Sequence, residues 1–423
     1  MMKTVIMAGG RGTRIASVNS EVPKPMIEIA GKPILQWQIE CLRAQNLTDI
    51  ILVVGYLGDR IKSYFGGGGK FGVKISYVEE KEPLGTAGAL YLLKDALSED
   101  FLLLCGDVIF DVDFNRFISA HRQSNALATL FTHPNSHPYD SGIIIADESG
   151  RVTNWLHKED ERKWYRNRVN AGLHILSPEV LKSFTQLKKL DLDRDVLKPL
   201  ISSGRLYVYD SPEYVKDMGT PDRYFAVGAD ICCGKVGSRN LKNRQKAIFL
   251  DRDGTINKYV GFLTDIDDFT LCDGAGEAVK KINESGYLAI VITNQPVIAR
   301  GEVTKEELTE IHNKMETLLG KEGAYLDGIY YCPHHPDSGF EGEVKELKIK
   351  CDCRKPATGL LERAAKDFNI DLSKSFMIGD GKSDVLCGKN AGCKTAAIGD
   401  IATADYNGDS LLDCVNKILE GAK

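Results

Sequence analysis

The sequence of 423 residues lacks an apolar run long enough to cross a membrane, and it lacks an excess of positive charge. Its formal net charge of −5 gives no general attraction to nucleic acid or to an anionic membrane surface. Its 11 cysteines lack the spacing of a disulfide framework, which favours a reducing compartment. We therefore expect a cytoplasmic protein that acts on small molecules, without a nucleic-acid or membrane partner; whether it forms a homo-oligomer stays open.

The length indicates more than one domain, because 423 residues exceed what one ordinary hydrophobic core supports. Residues 234–245 are polar, basic and poor in periodic apolar positions, and are the best linker candidate. This divides the chain into domains at 1–233 and 246–423. Strand-like apolar runs alternate with helical patterns in both, which predicts α/β folds with largely parallel sheets and functional residues at strand ends.

A glycine-rich turn follows the first predicted strand, Val5–Met7, in the segment from Ala8 to Arg14. Backbone N–H groups in such a turn form a concavity that binds anions, and a helix starting there reinforces it. Further on, Lys24 lies between two prolines that stiffen the backbone around it. Together these segments predict a phosphate-binding loop with a lysine braced to reach a phosphate.

The two segments resemble the signature of the sugar nucleotidyltransferases, which join a nucleoside triphosphate to a sugar 1-phosphate. The resemblance covers most of residues 1–230. Further matches follow in order: Pro83–Gly88, Leu104–Asp107, Val169–Gly172 and Asp217–Pro221. It implies a Rossmann-like domain whose nucleotide-binding residues are Ala8, Gly9, Gly10, Gly12, Thr13, Gly85 and Thr86.

Charge neutralisation dominates such a transfer, because a sugar phosphate must approach a triphosphate. Asp107 and Asp217, each near the end of a predicted strand, offer hard oxygen ligands for Mg²⁺. We expect Arg14 to bind the triphosphate and Lys24 to stabilise the charge of the transition state.

The resemblance also implies that Asn170 and the backbone of Gly172 contact the sugar, and that Lys158 binds its phosphate. His157 precedes Lys158 where the family commonly has glutamate, and the usual proline after Arg14 is missing. Lys158 also lies in a run of charged residues, and an ordinary exposed surface lysine explains it as well as a phosphate ligand does.

Glu80 is the candidate for base recognition, because it lies five residues before Gly85, where relatives that bind thymine or uracil often carry glutamine. A carboxylate only accepts hydrogen bonds. Guanine offers two adjacent donors, so we expect Glu80, or Glu82 if the loop shifts, to favour GTP. An acidic exposed loop is the competing interpretation.

The second half opens with two carboxylates, Asp251 and Asp253, directly after the apolar run Ala247–Leu250. Such a run is typical of a buried parallel strand, and alternate residues at its end point the same way. One carboxylate can therefore attack a substrate while the other transfers protons. A turn rich in aspartate is the structural alternative.

Three later segments complete a pattern that resembles the haloacid dehalogenase-like phosphatases over residues 246–423: Thr293–Gln295, Arg354–Pro356 and Phe376–Asp380, with Asp384 beyond. In that family the residue at Asp251 forms an aspartyl phosphate, and the residue at Asp253 is general acid and then base. The resemblance implies Mg²⁺ bound by Asp251, Asp380 and the carbonyl of Asp253.

The same resemblance implies catalytic roles for Thr293, Asn294 and Lys355, with Thr293 and Lys355 on the phosphoryl oxygens. Asp384 would orient the metal ligands or Lys355. The gap from Thr255 to Thr293 leaves room for little more than a loop and one helix, so we expect a domain without a cap.

A metal site is predicted where Cys332 and His334 precede Cys351 and Cys353. Three thiolates and one imidazole match a closed tetrahedral zinc site with a structural role, and His335 is the reserve ligand. Free cysteines in the core are the alternative.

Histidinol phosphatases and heptose bisphosphate phosphatases carry this zinc loop, and the long spacer resembles the heptose enzymes. Arg300 and Arg354 would then bind the distal phosphate of a bisphosphate, although a surface ion pair explains Arg300 equally well. The whole chain resembles a bifunctional enzyme that removes the 7-phosphate of D-glycero-D-manno-heptose 1,7-bisphosphate and then makes GDP-heptose, a precursor of lipopolysaccharide or another surface glycan.

Two alternatives remain at this point. One is a histidinol phosphatase fused to a hexose 1-phosphate nucleotidyltransferase. The other is a phosphatase regulated by a first half that senses a nucleotide sugar without catalysis.

Overall fold

The chain forms two compact units in a computed structural model that describes residues 2–10, 22–339 and 341–421. The first unit comprises Met1–His133, Ile144–Trp155 and Asn170–Asn240. The second comprises Pro134–Ile143, Leu156–Val169 and Leu241–Lys423. Two short segments that come early in the chain are therefore part of the second unit.

The first 240 residues contain these strands, as far as they are described: β1 (Lys3–Met7), β2 (Glu28–Ile29), β3 (Lys32–Pro33), β4 (Asp49–Val54), β5 (Lys74–Glu79), β6 (Phe101–Cys105), β7 (Val108–Asp111), β8 (Ala128–His133), β9 (Ile143–Ala146), β10 (Val152–Leu156), β11 (Val169–Leu176), β12 (Leu206–Asp210) and β13 (Tyr214–Asp217). The helices are α1 (Ile34–Arg43), α2 (Gly58–Phe65), α3 (Phe114–Gln123), α4 (Pro221–Cys232) and α5 (Lys235–Ser238).

The main sheet of this region has the order β10-β9-β11-β6-β1-β4-β5, with β8 and β12 joined to it at β11. β1 runs parallel to β4 and β6, and β11 runs antiparallel to β6. β7 and β13 form a separate antiparallel pair. This arrangement brings the ends of β1, β6 and β13 to one edge, where the first candidate site lies.

The second unit continues with β14 (Ala247–Leu250), β15 (Leu288–Asn294), β16 (Gly328–Cys332), β17 (Phe376–Gly379), β18 (Lys394–Ile398) and β19 (Tyr406–Gly408). Its helices are α6 (Ala275–Ser285), α7 (Pro296–Ala299), α8 (Lys305–Lys321), α9 (Gly359–Asp367), α10 (Lys382–Asn390) and α11 (Leu411–Gly421). The strands form one parallel sheet in the order β16-β15-β14-β17-β18-β19.

The centre of this sheet explains the apolar run that opens the second half. All four residues of β14 have no exposed surface, because helices cover both faces of a parallel sheet. The ends of β14, β15 and β17 meet at one edge, which carries the second candidate site. The predicted α/β fold class of both halves is confirmed, and no helix in the described part of the chain is long and apolar enough to cross a membrane.

A buried ion pair ties the early segment Leu156–Val169 to helix α8 within the second unit. Arg168 Nη1 lies 3.2 Å from Glu316 Oε1, and both side chains are almost fully buried. The guanidinium also donates to the carbonyls of Leu326 and Asp327. Because a buried charge is tolerated only when it is paired and hydrogen-bonded, this early segment is structurally necessary to the second unit.

We predict that Arg168→Met destabilises the second unit by about 3 to 5 kcal/mol, because the guanidinium that pairs with the buried carboxylate of Glu316 is removed. The measurement is loss of phosphatase activity with increasing urea. Arg166→Met, at an exposed position of the same segment, is the matched control. Adding Glu316→Leu to Arg168→Met should recover part of the loss, and a single variant as stable as the wild type would contradict the prediction.

Candidate active sites

The first candidate site is a cavity of about 340 Å³ at the carboxyl ends of β1 and β6. Seven of the residues that the sequence analysis names as site candidates line it: Gly9, Gly10, Lys24, Glu80, Gly85, Thr86 and Asp107. Ala8 is buried, and its N–H donates to the Val53 carbonyl at 2.8 Å. The predictions at Gly12, Thr13 and Arg14 lie outside the described residues.

Lys24 is held beside Asp107 in this cavity. Lys24 lies between Pro23 and Pro25, begins a short 3-10 turn, and is only 9% exposed. Its ammonium forms an ion pair with the carboxylate of Asp107. The two prolines thus fix a cation at the edge of the cavity.

Asp217 comes to the same edge because β13 pairs with β7, and the N–H of Met218 donates to the Asp107 carbonyl at 3.1 Å. Arg223 Nη1 lies 2.9 and 2.7 Å from the two oxygens of Asp217, and the N–H of Gly219 donates to it at 2.8 Å. Burial opposes ionisation of Asp217, but Arg223 holds its pKa below the ordinary value. Asp217 is therefore a carboxylate at neutral pH.

Asn170 is oriented by a network of three partners. Its side-chain nitrogen donates to Asp193 at 3.1 Å, and its side-chain oxygen accepts from the N–H of Gly172 at 3.2 Å and from His174 Nε2 at 3.0 Å. Burial lowers the pKa of His174 to about 4, so the ring is neutral. Burial and the neighbouring Asp191 raise the pKa of Asp193 to about 6.

Gly172 has a left-handed backbone with φ of +77°, and a Cβ there would lie 3.1 Å from the Cys105 sulfur. Cys105 lines the cavity at the end of β6. The pair Asn170 and Gly172 therefore lies beside the cavity edge, and glycine at 172 permits the close approach.

Glu80 lies against the glycine turn: a Cβ on Gly9 would be only 2.3 Å from Glu80 Oε2. Burial raises the pKa of Glu80, and the backbone of Leu84 partly offsets this. Its Oε1 is buried without a hydrogen-bond partner among the described residues. This cavity-lining residue therefore keeps an acceptor whose hydrogen-bonding capacity is unused among the described residues.

Gly85 and Thr86 bind the loop that carries residues 190–192. A Cβ on Gly85, whose φ is +78°, would lie 2.4 Å from the Leu190 carbonyl oxygen, and Thr86 Oγ1 accepts from the N–H of Leu192 at 2.7 Å. Lys158, by contrast, is exposed and belongs to the segment Leu156–Val169 of the second unit.

The second candidate site is built around Lys355, which is 4% exposed. Its ammonium lies 2.7 Å from Asp251 Oδ1 and 2.6 Å from Asp384 Oδ1. Burial disfavours the ammonium, but these two carboxylates raise the pKa of Lys355 above its ordinary value. Burial raises the pKa of Asp251 to about 6, although Lys355 opposes the shift.

A group of three carboxylates, Asp251, Asp380 and Asp384, lies at this edge with ligand oxygens within 4.8 Å of one another. A Cβ on Gly254 would lie 2.0 Å from Asp380 Oδ2, so only glycine allows this approach. Burial, helped by Asp251, raises the pKa of Asp380. Three hard oxygen donors fit a divalent cation, and Asp384 joins the predicted Asp251 and Asp380 in this group.

The carboxylate of Asp253 is held by three other side chains. Arg252 Nη2 lies 2.9 Å from both carboxylate oxygens, Asn257 donates to Oδ1 at 3.0 Å, and Gln295 donates to Oδ2 at 2.8 Å. Arg252 has no exposed surface, and its Nη1 lies 3.3 Å from His312 Nε2. Burial lowers the pKa of His312, so the neutral ring accepts this hydrogen bond.

Thr293 and Asn294, at the end of β15, have different partners. Thr293 Oγ1 accepts from Gln295 at 2.9 Å. The side-chain oxygen of Asn294 accepts a hydrogen bond from the backbone N–H of Lys355 at 3.0 Å, and its side-chain nitrogen donates to the carbonyl of Lys355 at 3.2 Å. Asn294 therefore fixes the backbone from which the Lys355 ammonium reaches Asp251.

The predicted zinc ligands Cys332, His334, Cys351 and Cys353 form one cluster. The sulfur atoms are 3.3 to 3.6 Å apart, and His334 Nδ1 lies 3.3 Å from the Cys353 sulfur. These distances exceed the S–S bond of a disulfide, which is about 2.05 Å. A tetrahedral metal with metal–sulfur bonds of about 2.3 Å would separate the sulfurs by about 3.8 Å, so the donor set fits a metal ion.

Two arginines expected at the substrate have other partners in this structure. Arg300 Nε lies 2.7 Å from Glu302, and its guanidinium lies over the Phe262 ring at 4.4 Å. Arg354 donates to the carbonyl of His334 at 3.3 Å. Arg354 thus stabilises the cysteine cluster, and Arg300 is engaged in the ion pair considered as its alternative role.

Sequence reasoning missed the residues that hold the predicted ones, namely Asp193, Arg252, Asn257 and Gln295. A signal existed for Gln295, because residues 293 and 295 point the same way at a strand end. No comparable signal existed for Asp193, whose contact with Asn170 joins residues far apart in the sequence.

Comparisons with known proteins agree with this geometry. Residues 3–233 match the family model described as nucleotidyl transferase, and residues 352–408 match the HAD-hydrolase-like model. A D-glycero-beta-D-manno-heptose-1,7-bisphosphate 7-phosphatase of Haemophilus influenzae is 40% identical over 187 residues, which are 42% of this chain and 98% of that protein. Its counterpart in Haemophilus ducreyi is 44% identical over 155 residues, 36% of this chain and 82% of that protein.

The first half has relatives of its own. A mannose-1-phosphate guanyltransferase beta-B of Xenopus laevis is 34% identical over 225 residues, which are 52% of this chain. The match spans 62% of that protein, less than two thirds of its length.

The chain therefore belongs to the nucleotidyl transferase family through residues 3–233 and, through its second half, to the haloacid dehalogenase-like family that includes these heptose bisphosphate phosphatases, and it is an enzyme with a transferase and a phosphatase function.

Proposed function

We propose that this chain performs two consecutive steps of heptose activation. The second unit removes the 7-phosphate of D-glycero-D-manno-heptose 1,7-bisphosphate, and the first unit transfers GMP from GTP to the resulting heptose 1-phosphate. The products are GDP-heptose, for a surface glycan, and pyrophosphate. The observation that carries the proposal is the group of Asp251, Lys355 and Asp384 beside a cysteine cluster. It lies in a half that is similar to heptose bisphosphate phosphatases over 82% and 98% of the length of the two relatives described above.

In the phosphatase reaction an oxygen of Asp251 forms a bond to phosphorus, and the bond between phosphorus and the sugar oxygen breaks. Asp253 gives its proton to the departing oxygen, and it then takes a proton from the water that hydrolyses the aspartyl phosphate. Lys355 and Thr293 hold the phosphoryl oxygens. With its pKa raised to about 6, Asp251 is still mostly a carboxylate at neutral pH and can attack.

In the transferase reaction an oxygen of the sugar phosphate attacks the α-phosphorus, and pyrophosphate departs. The backbone of Gly9 and Gly10 binds phosphate, and Lys24 neutralises charge at the α-phosphorus. Arg14 binds the triphosphate in this proposal. Asn170 orients the sugar.

Both reactions are proposed to use Mg²⁺, which supplies positive charge to phosphoryl oxygens when bound. Asp107 and Asp217 would hold it in the transferase, because both carboxylates lie at one cavity edge. In the phosphatase, Asp251 and Asp380 would hold it together with the Asp253 carbonyl. The remaining proposed contacts are those of Gly172 with the sugar, Lys158 with its phosphate, and Arg300 and Arg354 with the distal phosphate of the bisphosphate.

The cluster of Cys332, His334, Cys351 and Cys353 is proposed to bind a structural zinc ion, since four protein ligands leave no open position. A reducing compartment keeps such cysteines from forming disulfides, which supports the proposed cytoplasmic location.

The division of labour predicts that Asp251→Asn abolishes phosphate release from the bisphosphate, because an amide cannot attack phosphorus. The same variant should still convert heptose 1-phosphate and GTP to GDP-heptose. Lys24→Met should show the reverse pattern, and Asp273→Asn, at an exposed side chain, should change neither activity. Mass detection of products with each substrate and Mg²⁺ measures all three variants; loss of both activities in Asp251→Asn would contradict the division.

Base recognition predicts a preference for GTP that depends on Glu80. Charge-assisted hydrogen bonds contribute about 1.5 to 3 kcal/mol, so Glu80→Gln should lower the ratio of kcat/KM for GTP over UTP by about tenfold to a hundredfold. Glu82→Gln is the matched control at an exposed neighbouring position. Equal turnover of GTP and UTP by the wild type would rule out the preference, and an effect of Glu82→Gln alone would assign base recognition to that residue.

The metal cluster predicts about one zinc ion per chain by elemental analysis, and almost none in Cys351→Ala. Phosphatase kcat should fall in that variant by about tenfold or more, because the cluster supports the backbone leading to Lys355, while transferase activity stays unchanged. Cys232→Ser, at an exposed thiol, serves as control. Full phosphatase activity in protein shown to be free of zinc would contradict the structural role.

A further inference from the structure

Gln295 is a buried amide with contacts to two proposed catalytic residues. It follows β15 directly and is 2% exposed. Its side-chain nitrogen lies 2.8 Å from Asp253 Oδ2 and 2.9 Å from Thr293 Oγ1. Its backbone N–H donates to the Cys332 carbonyl at 2.8 Å, which fixes the residue against β16.

The chemistry of the partners determines how this amide is oriented. The proton that Asp253 donates is directed to the departing oxygen, so its carboxyl oxygens act as acceptors toward the protein, and the atom of Gln295 that faces Oδ2 is the nitrogen. The second hydrogen of the same nitrogen is then directed to Thr293 Oγ1. Because that oxygen acts as an acceptor here, the hydroxyl hydrogen of Thr293 is available to a phosphoryl oxygen.

We infer that Gln295 is a positioning residue of the phosphatase, whose single amide sets the carboxyl group of Asp253 and the hydroxyl group of Thr293 at a fixed separation. This inference rests on the proposed roles of Asp253 as proton donor and Thr293 as phosphate ligand. Gln295 would act through Asp253 and Thr293, without contacting the phosphorus or the departing oxygen itself.

The other donors to Asp253 do not make this connection. Arg252 binds both carboxylate oxygens and His312, while Asn257 binds Oδ1 and its own neighbouring backbone. These contacts hold Asp253 to the loop after β14. Gln295 alone among these three donors also binds Thr293, so it relates the proton donor to the position of the phosphoryl group.

The consequence concerns the first chemical step. An alkoxide is a poor leaving group, so rupture of an alkyl phosphate needs the proton of Asp253 as the Asp251 oxygen bonds to phosphorus. A nitrophenolate departs without that proton. A misplaced Asp253 therefore slows release of an alcohol much more than release of nitrophenol.

The experiment compares glycerol 3-phosphate with p-nitrophenyl phosphate in single turnovers, with the complete protein in excess over substrate. Release of the alcohol is followed by rapid quench and mass detection, so that the later hydrolysis of the aspartyl phosphate does not enter. In Gln295→Met, which keeps the side-chain length without hydrogen-bonding, glycerol release should slow by about tenfold or more beyond any slowing of nitrophenol release.

Two reference variants separate the possible causes. Asp253→Asn should show the same dependence on the leaving group, and Thr293→Val should slow both substrates equally. Equal slowing of both substrates in Gln295→Met, or no slowing, would overturn the inference. If Asp253→Asn shows no dependence on the leaving group, the proposed role of Asp253 fails instead, and the inference about Gln295 fails with it.

Folding of the variant is checked independently of catalysis by its metal content and by its thermal unfolding. Gln295→Asn provides a second variant that retains an amide on a shorter chain. It should recover part of the glycerol rate relative to Gln295→Met if the amide acts by hydrogen bonding. No recovery, with both variants folded, would count against positioning by the amide.

Discussion

The buried ammonium of Lys355 between Asp251 and Asp384 is the interaction on which the phosphatase site depends. An ammonium removed from water requires paired charges, and its two carboxylates are at 2.7 and 2.6 Å. Asn294 holds the backbone of Lys355, and Gly254 admits Asp380 to the same place. The three carboxylates exceed the one lysine in charge, so the site would repel a phosphate until a divalent cation balances it.

The transferase cavity also holds carboxylates that would repel a phosphate, and it pairs them with cations in a different arrangement. Lys24 lies on a turn between two prolines and pairs with Asp107 at the cavity edge, while Arg223 neutralises Asp217 from outside the lining. Cations and carboxylates therefore face each other across short distances before any substrate is bound. A triphosphate and its metal ion would redistribute these partners, because phosphate oxygens compete with Asp107 for Lys24 and a metal ion competes with Lys24 for Asp107.

Residues that act at strand ends were predictable from the sequence, and the residues that orient them mostly were not. Asp251 and the cysteine cluster follow from local spacing and strand periodicity, and Asp380 follows from the resemblance to the haloacid dehalogenase-like phosphatases. Asp193 was not predictable, because it lies 23 residues beyond Asn170 in the short helical segment Leu192–Leu197, which folds back to meet it. For Arg300 the expected ligand was a phosphate, because the side chain is positively charged. In the structure it pairs with Glu302, which lies only two residues away. The fold class followed from the alternation of strands and helices. That two early segments belong to the second unit could not be predicted, because a division of the sequence at one linker assigns them to the first domain.

The ion pair of Arg168 with Glu316 also has a consequence for synthesis of the chain. The two residues are 148 positions apart, so at a translation rate of about 5 to 20 residues per second Arg168 is synthesised about 7 to 30 s before its partner. During that interval the nascent segment presents an arginine whose native environment does not yet exist. The second unit can therefore close only late in translation, and a ribosome that stalls before α8 leaves this segment without its carboxylate partner.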